Sequence, residues 1–173
     1  EYINEKIEAA DEVAALLKST GNIRESVERM LAENAQLRKT IEKLEAGSAM
    51  AVIKDLEDKA VEINGIRFIS GIIQTGSAEM LKSIAHQIRS SSDNTVLVIG
   101  ASIGDKANIF AMVSDSLVNS GNLSAVAIIK EIAGEIKGGG GGQPFLASAG
   151  GKNPSGLPAA LSKAAAYLKS ITS

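Results

Sequence analysis

Few side chains in this sequence could transfer a proton or hold a metal. The 173 residues include one histidine, His86, and no cysteine. That excludes a thiolate zinc site, a cysteine nucleophile, a disulfide framework and any metal site built on paired histidines. His86 lies off the apolar stripe of its segment, with no second ionisable group spaced to join it, and reads as a solvated helix residue. No Ser-His-Asp set and no paired carboxylates can be assembled, so no catalysis is expected of this chain. What the sequence offers is a surface for binding. Residues 138–153 read GGGGGQPFLASAGGKN. Backbone amides at Gly138, Gly139, Gly140, Gly141 and Gly142 can donate to phosphate or sugar oxygens with no side chain in the way. Gln143, Ser148 and Asn153 add neutral donors, and Lys106, Lys137 and Lys152 can neutralise phosphates.

The glycines do not fit the common nucleotide loops. A G-x-x-x-x-G-K-[ST] loop ending at Lys152 would need glycine where Leu146 stands and a hydroxyl where Asn153 stands. A G-x-G-x-x-G opening at Gly138 meets Gln143 at its last position, and a helix precedes the glycines where a strand should. Two other readings stay open. The run could be a flexible spacer, or its glycines could let elements of the fold pack closely, with the lysines merely solvated.

The elements that must position these residues fall into two parts. Over residues 1–64 apolar residues recur at spacings of four and three. A first helix carries Ile3, Ile7, Ala10, Ala14 and Leu17. Gly21-Asn22 breaks it, and a second helix carries Ile23, Val27, Met30, Asn34, Leu37, Ile41 and Leu44. This is a coiled-coil seam, and the short connection predicts an antiparallel helical hairpin with Val27, Leu37 and Leu44 buried against the first helix or a second chain. Gly47-Ser48 shifts the phase, and Met50, Ile53, Leu56, Ala60 and Ile63 extend the helix to Asn64-Gly65.

From residue 65 the pattern turns to α/β. Ile66–Ile73 and Thr95–Ile99 read as strands, with a helix from Ser77 to about Ser91 between them. A turn-rich connection at 100–105 leads to a strand at Ala107–Val113, close enough for an antiparallel hairpin. A short helix at 114–120, an amphipathic helix from Ala125 to Ile136, a strand at Phe145–Ala149 and a final helix with Pro158 in its first turn complete the chain. The expected fold is α/β (α+β), with a 1–64 helical hairpin or coiled coil and a 65–173 globular domain. That domain has a mixed sheet of about four strands with flanking helices. Residues 1–64 carry 14 acidic and 9 basic residues, net −5; residues 65–173 carry 6 and 9, net +3. A mildly basic body can face a polyanion. No apolar run reaches the roughly 20 residues needed to span a bilayer, so no membrane partner is expected. The absence of an initiating Met suggests part of something longer.

GGGGGQPFLASAGGKN, behind its amphipathic helix, resembles the glycine signature of the DHH-associated domain. That domain occurs in alanyl-tRNA synthetases and DHH-family phosphoesterases. With VLVIGASIGDKANIFAMVS at 96–114 and the upstream hairpin, essentially all of the chain resembles the C-terminal region of bacterial alanyl-tRNA synthetase. The resemblance implies a cytoplasmic module that binds the outer corner of tRNA-Ala and bridges the aminoacylation and editing domains of the same chain. Homo-oligomerisation through the hairpin or the globular domain is also implied for some members. ATP, magnesium and zinc are implied for the parent enzyme and no cofactor for this part. Two alternatives are a nucleic-acid-binding domain of a DHH-type phosphoesterase or exonuclease, and an oligomerisation module. Gln143-Pro144-Phe145 stands where the phosphoesterases often carry histidine, which weakens a substrate-phosphate role borrowed from them.

Overall fold

The computed structural model describes Glu12, Ala15 and residues 22–171 except 122, with the backbone alone at 41–48. The expected first helix therefore lies outside the described residues, save for Glu12 and Ala15, which are helical. The chain forms two compact units, Glu1–Glu45 and Ala46–Ser173. Helix α1 (Ile23–Asp58) is continuous through Gly47-Ser48, and Asn22 Oδ1 accepts from the Arg24 amide at 3.0 Å to cap its start. What would cover the expected seam, the first helix or a second chain, lies outside the described residues. Val27 is half-buried, but Leu37 is 62% exposed and Met30 and Asn34 are exposed as well. Apolar spacing defines a helix face without supplying what covers it. The side chains of Ile41 and Leu44 lie outside the described residues.

The helix also ends earlier than its spacing suggested. Ala60 leaves it, and β1 (Val61–Ile63) turns back through Asn64-Gly65 onto β2 (Ile66–Ile72). Asn64 at φ 50° and Gly65 at φ 82° supply the two left-handed residues that a tight hairpin requires. Ile63, which continues the helical spacing by coincidence, is buried as a strand residue.

Helix α2 (Ala78–Ser91) follows, capped by Ser77, whose hydroxyl accepts from the Met80 amide at 3.3 Å. Strand β3 (Thr95–Ile103) and strand β4 (Lys106–Val113) form the expected antiparallel hairpin. Both are longer than expected, because the turn is only Gly104-Asp105, with Gly104 at φ 57°. Then come α3 (Asp115–Asn119), α4 (Ala125–Ile132), β5 (Gly138–Gln143), β6 (Leu146–Gly151), a 3₁₀ turn at Pro154–Gly156, and α5 (Leu157–Ile171). Helix α4 is shorter than expected; tight turns replace its last turn.

The sheet runs β1-β2-β3-β4-β6-β5, with β2 and β3 parallel and the other pairs antiparallel. The α/β class is as expected, but there are six strands where about four were expected. The strands not foreseen are β1 and β5. Helices cover both faces. Val96, Val98, Ile109 and Ala111 pack under α4 and α5. Ile69, Leu97, Ile99 and Met112 pack under α2 and under Ala49, Ile53 and Leu56 of α1. Lys163 of α5 bridges Glu131 and Glu135, each at 3.4 Å, and its hydrogen bond to Glu131 raises its pKa.

Leu56 and Leu37 thus occupy one helix in opposite environments, 4% and 62% exposed. Leu56→Ala is expected to lower stability by about 2–5 kcal/mol. Leu37→Ala should stay within about 0.5 kcal/mol. Thermal melts of the two variants test this, and equal losses would overturn the assignment.

Candidate nucleic-acid interface

Five glycines in a row have the weakest of preferences for strand, yet they form, with Gln143, the whole of β5, an edge strand paired to β6 throughout. The spacer reading is thereby overturned. Tertiary contacts fix the strand at both ends. At its start the Gly138 amide donates to Ala133 O at 3.1 Å and the Lys137 amide to Gly134 O at 3.0 Å. At the far end the β5–β6 turn is Pro144-Phe145. Pro144 O accepts from the Ala125 amide at 2.7 Å, and Phe145 O from the Val113 amide at 3.0 Å. Arg89 of α2 closes this end. Its Cζ sits 4.0 Å above the Phe145 ring centroid while its Nη2 and Nε reach Asp115 Oδ1 at 2.8 and 3.1 Å.

The glycines then divide by strand period. A Cβ at Gly138 would lie 2.1 Å from Gly150 O, one at Gly140 2.0 Å from Ser148 O, and one at Gly142 2.5 Å from Leu146 O. These three are held against the β6 backbone, where only glycine fits. A Cβ at Gly139, Gly141 or Gly150 would meet nothing within 4 Å. Register places these open glycines in two cross-strand ranks. One is Ala101–Asn108–Gly150–Gly139 and the other Ile99–Phe110–Ser148–Gly141. Half-buried Phe110 and Leu146 adjoin the core under α2, so β6 and β5 form a shelf beside that helix.

The structure brings together some of the expected site residues and separates others. Lys106 directly precedes Ala107, Lys152 follows Gly151, and Lys137 precedes Gly138. Ala107, Gly151 and Gly138 are mutual register partners. The three exposed lysines therefore stand abreast at one end of β4, β6 and β5, on strands about 4.8 Å apart. Ser148 lies half-buried on the open shelf, opposite Gly141. Gln143 is exposed at the far end of β5, about 20 Å of strand from the lysines. Asn153 has a different part. Its Nδ2 donates to Glu135 O at 2.9 Å, its amide to Ile136 O at 3.0 Å, and its Oδ1 accepts from Ser155 Oγ at 2.7 Å. It tethers the exit of β6 to the turn before β5.

Sequence reasoning missed Arg89, Phe110 and Asn108. Only the strand register, and the Arg89–Phe145 contact, connect them to the glycines. Among the described residues no group of three or more His, Asp or Glu is placed to hold a metal, and no helix is long and apolar enough to cross a membrane.

The division of the glycines makes a stability prediction. Gly140→Ala should destabilise the fold by about 1–3 kcal/mol or more, since the new methyl has nowhere to go. Gly139→Ala and Gly141→Ala should be neutral, or stabilise by up to about 1 kcal/mol through the unfolded state. Denaturant melts of the three variants check it; a tolerated Gly140→Ala would contradict the packing.

Comparison with known proteins agrees with this architecture. The DHHA1 domain family matches residues 65–170. The chain is 37% identical over 172 residues to the alanine–tRNA ligase of Pediococcus pentosaceus, an alignment covering 98% of this chain and 19% of that protein. It thus spans about a fifth of the length of the curated relatives it matches. Among solved structures it is similar to the C-Ala domain of Aquifex aeolicus alanyl-tRNA synthetase. The TM-score is 0.59 at 29% identity, covering 64% of this chain and 97% of that one. RecJ of Thermus thermophilus shares the fold, with a TM-score of 0.53 at 18% identity over 91% of this chain and 22% of that one. The chain belongs to the DHHA1 domain family and corresponds to the C-terminal region of alanine–tRNA ligases.

Proposed function

We propose that the chain is the tRNA-binding and domain-bridging module of an alanine–tRNA ligase, and that it holds the outer corner of tRNA-Ala. One observation carries the reading. Gly139, Gly141 and Gly150 leave an open backbone shelf that packing does not require to be glycine, and it ends in a rank of three lysines. The open face lets an RNA backbone approach closely. The outward-pointing amides of Gly140 and Gly142 on the free β5 edge can donate to sugar and phosphate oxygens, and Lys106, Lys137 and Lys152 neutralise phosphates. Such contacts read the shape of a folded RNA and not its base sequence. The other domains of the same protein would bring ATP, magnesium and zinc to its aminoacylation and editing reactions in the cytoplasm. A second copy is a further partner in this reading, through Met30, Leu31 and Leu37, which are exposed on α1.

Titration of the chain with a tRNA-Ala transcript at several salt concentrations tests the proposal. Binding should weaken with salt, and Lys152→Gln should reduce the slope of log K against log[salt] by about 0.7–0.9. Gly141→Val should remain folded, because its Cβ meets open space, and still lose more affinity than any single lysine variant. If folded Gly141→Val binds as tightly as the parent chain, the shelf is not the tRNA surface. A folded RNA with an intact corner should bind better than a single strand of equal length.

The same reading assigns no chemistry to this chain by itself. The purified chain should show no alanine-dependent ATP–pyrophosphate exchange and no deacylation of Ser-tRNA-Ala above background. Either activity would overturn that assignment.

A further inference from the structure

The shelf is bounded on one side by the edge of β5 and on the other by α2, and the helix edge that overlooks it carries Lys82. Lys82, His86 and Arg89 are spaced by four and then three residues, so they share one edge of α2. Arg89 fixes which way that edge faces, since it reaches across to Phe145 in the turn between β5 and β6. The chain direction then sets the height of Lys82. Helix α2 returns between the parallel strands β2 and β3, and β6 runs in the same sense as β3, being two antiparallel steps away. Moving back along α2 from Arg89 is therefore moving forward along β6 from Phe145. Seven helical residues rise about 10.5 Å, and three strand residues cover about 10 Å. Lys82 is thus level with Ser148, beside the rank Phe110–Ser148–Gly141.

Other charged groups face this position as well. Arg89 is engaged with Asp115 at 2.8 Å. Glu79, an anion, shares the helix edge one turn from Lys82; its Oε2 accepts from Ser77 Oγ at 3.3 Å, which holds it toward the helix start. Lys82 is exposed, and among the described residues no hydrogen bond or ion pair engages its ammonium group.

We infer that Lys82, with His86 beside it, is the second wall of the binding site and contacts a phosphate of an RNA backbone lying along the shelf. The inference rests on the tRNA reading above and deepens it. With the lysine rank at one end of β4, β6 and β5 and Lys82 beside the middle of the shelf, four ammonium groups lie along one backbone path.

The test is titration of the chain with a tRNA-Ala transcript between about 50 and 200 mM salt. Lys82→Gln, Lys82→Arg, Lys152→Gln and Lys169→Gln would be compared, Lys169 lying near the opposite edge of the sheet beside Asn64. Lys82→Gln should reduce the salt slope by about 0.7–0.9, which is a change of roughly three-fold in relative affinity across that salt range. Lys82→Arg should restore it, and Lys169→Gln should leave it unchanged. A Lys82→Gln slope equal to that of the parent chain, with Lys152→Gln still shifted, overturns the helix wall and leaves the shelf reading standing. If the parent chain shows no salt-dependent binding, the shelf reading fails and the wall fails with it. Equal slope changes in Lys82→Gln and Lys169→Gln would mark a diffuse charge effect and also overturn the wall.

Discussion

The structure depends on one steric constraint, the approach of backbone to backbone around β5 and β6. Five positions show it. A Cβ at Gly138, Gly140, Gly142, Gly151 or Gly156 would come within 2.0–2.5 Å of a carbonyl oxygen. The first three hold β5 to β6. Gly151 approaches Ile136 O and Gly156 approaches Glu135 O, so the same turn that launches β5 is also pressed against the exit of β6. Backbone hydrogen bonds from Gly138 to Ala133 and from Asn153 to Ile136 close this region. The register that results aligns Lys137 with Lys152 and Lys106. A slip of one residue would turn the open glycines toward β6 and the packed ones outward, and it would break the lysine rank as well.

How much of this could be read from the sequence depended on how local each signal was. Ser77 and the apolar spacing from Leu81 to Ile88 were enough to place α2, and the unbroken run at Thr95–Ile99 marked a strand buried on both faces. Those signals are carried within a dozen residues. β5 carries no such signal, because glycine has no side chain to alternate and little intrinsic preference for strand. Its conformation comes from β6, from Ala133 and from Ala125. β1 was missed for another reason. Asn64-Gly65 is a hairpin signal, but Ile63 falls on the helical spacing of the segment before it, and that spacing masked the strand.

The candidate site shows the same division. Glycines and lysines could be nominated by residue type and nearness in sequence, but type does not reveal partners. Asn153 has the donors expected of a binding residue and spends them on Glu135 and Ile136. Gln143 is next to the glycines in sequence and at the far end of the strand from the lysines. Lys106 is more than thirty residues upstream and stands directly beside Lys152. Lys82 and Arg89 are further still, and nothing local links them to Phe145. The β-ladder and one cation–π contact supply what the linear order lacks.

A strand suits this glycine run better than a loop would, for reasons that join stability to recognition. Alternation by two separates the tasks of neighbouring residues, so Gly140 can fill a packing role while Gly139 and Gly141 remain uncovered. The amides of Gly139 and Gly141 are used in the ladder to β6, while those of Gly140 and Gly142 point outward from the edge and are held in place before any ligand arrives. With no side chains to order, the entropic cost of engaging them is small. An exposed edge is normally a hazard, since its unpaired backbone groups invite another strand. Here the edge is only six residues long, with Lys137 at its entry and Pro144 directly after it. A charge and a proline at the ends of a short strand are the usual defences against strand addition. An edge protected at its ends and bare in its middle stays open to a partner rich in oxygen acceptors, which is what the phosphate and sugar of an RNA backbone present.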